Sequence, residues 1–291
     1  MATRSTTKNC KDVKLWVAAA IAEESRRSSG QLWKGATSAD GAYNERLRRI
    51  KFLRRHGSKA NCVAERLEGC DVPCRCLSGA CPECGRLLQR WFVRQSKKFI
   101  CDCIREPDQP PAALSIIPAD ATVSPGKLAA FSSVNFQRRL KYALDKAGIG
   151  PALGGIDFSF NEDRDERYPP FWSPHAYLIA PSILDTQIKT LRKCFGSTAE
   201  IPKPLMVTPL QNNASRRSYA LKMTFEQRVG YEEAKVAESG STRKCRNTTT
   251  DRLRASGRAE LFICLNQIGL GGRVIFVGAK PVLTSSGVFI R

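Results

Sequence analysis

Residues 154–180, GGIDFSFNEDRDERYPPFWSPHAYLIA, decide the fold. Successive side chains of a strand point to opposite faces. In the first arm Ile156, Phe158 and Phe160 therefore share one face, and Asp157 and Ser159 take the other. In the last arm His175, Tyr177 and Ile179 oppose Ala176, Leu178 and Ala180. The charged, proline-closed stretch between them reads as the connection of a β-hairpin. Its apolar sets are expected to meet helices, which places Asp157, Ser159, His175 and Tyr177 together on the opposite, open side.

Working outward, ALSII at 113–117 reads as a strand. PGKLAAFSSVNFQRRLKYALDKAG at 125–148 reads as a helix with proline near its start and glycine at its end. After the hairpin come a short helix at 186–195, a strand at 203–210 and a helix at 213–229 capped by Asn213 or Ser215. The order strand, helix, strand, strand, helix, strand is the split βαβ arrangement. It predicts an α+β fold, a ferredoxin- or RRM-like βαββαβ palm, with helices on one face of an antiparallel sheet. The expected organisation is a basic helical region at 1–60, a cysteine-rich module at 61–111, the palm at 112–230 and an extension at 231–291. In that extension EEAKVAESGSTRKCRNTTT reads as a loop, followed by a helix at 251–269 and a strand at 273–279.

Lys and Arg outnumber Asp and Glu by 47 to 27 in 291 residues, a net charge of +20 that opposes compaction and favours a polyanionic partner, nucleic acid first. The sequence has no apolar run of the roughly 18 residues a membrane span requires. WVAAAIA at 16–22 is followed by Glu23 and Glu24 and carries no convincing cleavage site, so the chain is expected in the cytoplasm. Twelve cysteines in such a compartment point to metal or free thiols rather than disulfides.

Eight of those cysteines lie between Cys62 and Cys103, the densest part being CRCLSGACPECGR at 74–86. Cys81 and Cys84 form a C-x2-C knuckle suited to one tetrahedral ion. Cys76 and either Cys70 or Cys74 are the best further ligands, and the expected set is Cys70, Cys76, Cys81 and Cys84 around a structural zinc. Cys101 and Cys103 belong to a second site or to none. Two basic stretches flank this region. NERLRRIKFLRRHGSK alternates Arg46, Arg48, Arg49, Lys51, Arg54 and Arg55 with apolar residues. RLLQRWFVRQSKK sets Arg86, Arg90, Arg94, Lys97 and Lys98 beside Trp91 and Phe92, a mixture suited to phosphate and base contact or, for the two aromatics, to the core.

In SYALK at 218–222, Tyr219 and Lys222 are three residues apart and share a helix face, with Arg216 and Arg217 in the turn before. A phenol beside a cation suits attack on phosphorus, with the cation neutralising charge on the phosphate oxygens.

Taken together, CRCLSGACPECGR, PHAYLIA and SYALK resemble the rolling-circle replication initiators of the HUH endonuclease superfamily carried by plasmids and phages, over residues 70–229. The resemblance implies a thiolate zinc motif, a His-hydrophobic-His strand that binds Mg²⁺ or Mn²⁺, and a tyrosine in a Y-x-x-K helix that nicks DNA and keeps a 5′-phosphotyrosine link. Pro174, His175, Tyr219 and Lys222 match that pattern, but Tyr177 stands where the second histidine would be. A divalent ion would then rely on His175 with Asp157, or with Glu162 and Asp163. The alternatives are a noncatalytic zinc-containing DNA-binding protein and an RNA-binding module. The second is disfavoured because Phe158 and Phe160 face inward.

Overall fold

The computed structural model describes residues 6–27, 30–103, 110–211, 213–236 and 242–291, with side chains omitted for 6–14, 235, 236, 242 and 243. Among these residues the elements are α1 (Thr6–Arg26), α2 (Ala39–Leu53), α3 (Ser58–Glu68), α4 (Pro82–Cys103), β1 (Ala112–Ile116), α5 (Ser133–Lys146), β2 (Ala152–Asp163) and β3 (Phe171–Ala180). They continue with α6 (Asp185–Arg192), β4 (Leu205–Pro209), α7 (Ala214–Ser218), β5 (Glu226–Val236), β6 (Thr242–Arg252), α8 (Ala255–Arg273), β7 (Val274–Val277), β8 (Pro281–Thr284) and β9 (Gly287–Ile290).

The hairpin of 154–180 is the centre of the sheet. β2 and β3 pair antiparallel with Asp157 opposite His175 and Gly155 opposite Tyr177. β1 runs antiparallel between β3 and β4, so the order is β4-β1-β3-β2 before the sheet continues into β5 and β6. β2 is long enough to hold two neighbours on one edge: Ala152–Gly155 pairs with β7, and Phe160–Asp163 pairs in parallel with β5. The result is a mixed α/β fold with a mainly antiparallel sheet.

One face carries the apolar side chains. Phe158 meets Phe131 and Phe160 meets Trp172 at edge-to-face distances of 5.2 and 5.0 Å. Phe131 also packs edge-to-face on Phe136 of α5, which ties that helix to the same cluster. The opposite face is polar but not open. Asp157, Ser159, Ser173 and His175 are all buried, because the segment after α7 lies across β2 and β3 and α4 packs behind it.

Three local readings change. Residues 213–229 are not one helix: α7 ends at Ser218, one 3₁₀ turn spans Tyr219–Leu221, and Lys222 is extended. The carbonyls a continuing helix would use are taken by side chains, with Gln89 Nε2 donating to Ser218 O, Arg273 Nη2 to Lys222 O and Arg49 Nη2 to Met223 O. The polar stretch read as a loop forms the β5–β6 hairpin, except for 237–241, which lie outside the described residues. The boundary drawn at 230 falls inside β5, and β7 joins the sheet, so residues beyond 230 are built into the same sheet as the palm strands. Among the described residues no helix is long and apolar enough to cross a membrane.

Candidate functional site

The two arms of the hairpin bring Asp157 and His175 face to face, and the turn after α7 brings Lys222 and Tyr219 over them. Lys222 Nζ lies 2.9 Å from Asp157 Oδ2, and His175 Nε2 lies 3.2 Å from the same oxygen. Tyr219 Oη is 3.5 Å from Lys222 Nζ, and the ammonium also sits 4.9 Å from the centre of the Tyr219 ring. Tyr177 packs edge-to-face on Tyr219 at 5.0 Å. Asp157 is 1 % exposed, whereas Tyr219 is 40 % exposed, so the charges are buried under a phenol that reaches solvent.

Gly155 makes this approach feasible. A Cβ there would lie 2.1 Å from Ala220 O and 2.6 Å from Leu221 Cδ2. Any side chain at 155 would push the 3₁₀ turn, and with it Tyr219 and Lys222, away from the sheet. Arg273 fixes the turn from the other side. It is 1 % exposed, donates to Ile156 O (3.3 Å) and Lys222 O (2.9 Å), and its pKa is pushed down to about 10 by burial.

The electrostatics follow from this packing. Burial alone would raise the Asp157 pKa, but His175 and Lys222 outweigh it and hold the carboxyl at about 2. Burial would lower the Lys222 pKa, yet Asp157, followed by Tyr219, holds it above the ordinary lysine value. Burial raises the Tyr177 pKa. Asp157 Oδ1 is buried and meets no protein donor.

The donor set does not fit the Mg²⁺ or Mn²⁺ implied by the resemblance. His175 Nδ1 faces Ser173 O at 3.1 Å and Nε2 faces the carboxylate, so each ring nitrogen already has an oxygen neighbour in the fold. Lys222 occupies the approach to Asp157 Oδ2. Glu162, five residues along β2 and so about 16 Å away, accepts from Gln227 Nε2 and Arg254 Nη2. Asp163 pairs with Arg246. Among the described residues the only group of three or more His, Cys, Asp or Glu donors close enough to share an ion is a cysteine cluster.

That cluster is Cys70, Cys76, Cys81 and Cys84, whose sulfurs all lie within 4.8 Å of one another. Cys70 and Cys84 are 3.4 Å apart, Cys70 and Cys81 3.7 Å, and Cys76 and Cys84 3.9 Å. Four thiolates at about 2.3 Å from a tetrahedral centre stand about 3.8 Å from each other, so the spacing suits one ion. Cys74, the alternative ligand, is exposed and outside the group, as is Cys101, and the half-buried Cys103 lies outside it too. Hydrogen bonds from Cys76, Cys81 and Cys84 pull the Cys70 thiol down, while the same kind of contact from Cys70, Cys76 and Cys81 pushes Cys84 up. The knuckle sits at the start of α4, where the helix dipole favours thiolate.

The arginines expected to meet nucleic acid largely turn inward. Arg46 clamps the end of α3 through Leu67 O (2.8 Å) and Cys70 O (2.6 Å) and pairs with Glu83 beside the knuckle. Arg49 donates to Ala80 O. Arg86 donates to Thr37 O and Arg90 to Gly30 O, and Arg94 pairs with the buried Glu24. Arg217 is buried against Val93 O. Trp91 is core, packed at a tilt against Trp16 and donating to Val288 O. Arg216 alone of that set is exposed next to the tyrosine.

Sequence reading missed a cleft of about 860 Å³ between α2, β6, α8 and residues 223–226. Its outward cations are Arg48, Arg252 and Arg258, and its aromatic wall is Phe52, Phe225 and Phe262. Arg258 stacks on Phe52 at 3.8 Å. These residues are scattered over 200 positions, so no local motif marks them. In comparisons with known proteins, no family model, no curated protein and no solved structure matches the chain.

Proposed function

We propose that this chain binds single-stranded DNA and nicks it through Tyr219, in the manner of a replication initiator, around a structural zinc held by Cys70, Cys76, Cys81 and Cys84. The observation that carries the reading is the solvent-facing Tyr219 hydroxyl 3.5 Å from the Lys222 ammonium, itself anchored to buried Asp157. Burial lowers the Lys222 pKa, and Asp157 more than offsets it. The Lys222 charge then faces the oxygen that must attack and the phosphate that must accept it. Exposed Arg216 can hold a neighbouring phosphate, and the cleft beyond residue 223 offers Arg48, Arg252 and Arg258 to the strand, with Phe225 for base stacking.

The strand order β4-β1-β3-β2 supports a βαββαβ palm, and the sulfur spacing supports zinc over a divalent ion that prefers oxygen ligands. In the reaction, Tyr219 Oη bonds to phosphorus and the bond from phosphorus to the 3′ oxygen breaks. The result is a 5′-phosphotyrosine and a free 3′-hydroxyl.

The second reading, a noncatalytic DNA-binding protein, is favoured by Tyr177 in place of a second histidine. Incubation with a labelled single-stranded oligonucleotide pool, followed by denaturing electrophoresis, separates the two. A covalent adduct absent from Tyr219→Phe supports nicking. Retention on a native gel with no adduct supports binding alone.

A further inference from the structure

We infer that Lys222, rather than a divalent cation, supplies the positive charge at this site, so that chemistry at Tyr219 proceeds without Mg²⁺ or Mn²⁺. The inference rests on the nicking reading and concerns the composition of its site. Three observations carry it. Asp157 Oδ2 is already 2.9 Å from Lys222 Nζ and 3.2 Å from His175 Nε2, which leaves the buried Oδ1 as the one carboxylate oxygen an ion could use. His175 is held between the carboxylate and Ser173 O, with each ring nitrogen facing an oxygen of the fold. At the position where a second imidazole would complete a metal site stands Tyr177, a neutral phenol spent on packing against Tyr219.

A neutral oxygen, an engaged imidazole and a carboxylate bridged by an ammonium make a poor cage for a hard divalent ion. The same arrangement makes a good anchor for a lysine. The lysine side chain is 14 % exposed, and its ammonium lies 2.9 Å from the carboxylate and 3.5 Å from the tyrosine hydroxyl. A phosphate placed against Tyr219 would therefore meet a fixed cation with no further ligand. The phenol proton leaves to solvent, which reaches Tyr219. The departing 3′ oxygen takes a proton from water, and Lys222 keeps its own throughout.

The test uses the full zinc-loaded chain in two arms. In the first, Mn²⁺ is added at one equivalent and followed by electron paramagnetic resonance without DNA. The expected result is the unchanged signal of free Mn²⁺; stoichiometric binding that disappears in His175→Ala would overturn the inference. In the second, adduct formation is measured in buffer stripped of Mg²⁺ and Mn²⁺ and again with Mn²⁺ restored. Equal yield in both supports the inference, while an adduct only with Mn²⁺ overturns it and leaves nicking intact. No adduct in either buffer overturns nicking, and the lysine's catalytic role with it. Lys222→Met, which keeps the aliphatic stem, should lower the adduct rate by about 100-fold or more in both buffers. Lys222→Arg should restore part of that rate, so a folding defect in the methionine variant would be recognised.

Discussion

At the residue scale the site is governed by one buried carboxylate set between a lysine and a histidine. The Asp157 pKa is about 2 against an ordinary 3.8, so its ionised form is stabilised by folding. That contribution is present above the unfolded value and is lost as pH falls through about 2. The shift corresponds to about 2 kcal/mol of stability near neutrality. Asp157→Asn should be less stable than wild type by about 3 kcal/mol at pH 7, because it also leaves Lys222 buried without its partner. The gap should narrow as pH is lowered from 5 to 2, as read by urea denaturation of both proteins over that range. A gap independent of pH would mean that packing, not charge, holds the residue. That Asp157 and His175 share the polar face was legible from strand alternation alone, whereas their standing opposite each other is a matter of register that alternation leaves open. Lys222 was legible only as a neighbour of Tyr219; that it reaches Asp157 depends on a turn that no local pattern encodes.

At the element scale the decisive contact is between that turn and β2. Strand periodicity predicts the hairpin of 154–180 well because one face must be apolar and the other polar. The helix read at 213–229 fails for a reason of the opposite kind. Its first turn is capped as expected, with Asn213 Oδ1 accepting from Arg216 N, but long-range donors from Gln89, Arg49 and Arg273 then claim its carbonyls. Tertiary bonds of this sort are invisible to propensity. The same holds for Arg46, Arg86 and Arg90, whose sequence context suits a solvated basic face and whose actual partners are backbone carbonyls many residues away. Gly155→Ala tests the contact directly. Its Cβ would stand 2.1 Å from Ala220 O, backbone that has little room to yield. Overpacking of this kind costs about 1–3 kcal/mol, and adduct formation should fall because Tyr219 and Lys222 ride on the displaced turn. Gly196→Ala, where an added Cβ meets nothing within 4 Å, should change neither the melting temperature nor the adduct.

At the scale of the whole molecule the cysteine cluster and the polar site are mechanically joined. Arg46 ties the end of α3 to Glu83 at the start of α4, Arg49 ties Ala80 to Met223, and Gln89 of α4 holds Ser218 immediately before Tyr219. A metal ion that fixes Cys70, Cys76, Cys81 and Cys84 would therefore also fix the Gln89 and Arg49 side chains that donate to the carbonyls of the Tyr219 turn. One zinc per chain is expected by elemental analysis, and Cys84→Ser should lose it. Structural zinc contributes about 10 kcal/mol or more in small domains. Here the four cysteines stand between α3 and the first turn of α4, on one side of an apolar core that also takes in the sheet, so removal should loosen the α2–α4 layer and the Tyr219 turn before the β1–β4 strands. Hydrogen exchange after chelation should show that order, with protection lost first at residues 58–103 and 214–223. Uniform loss would mean that the layer and the sheet unfold as one unit. The outward cations of the cleft make a separate prediction. Arg252→Glu should weaken single-stranded DNA binding and flatten its salt dependence by about 1 in slope, as expected for the loss of one phosphate contact. An unchanged slope would move the strand's path out of the cleft and onto Arg216 and the exposed edge of the site.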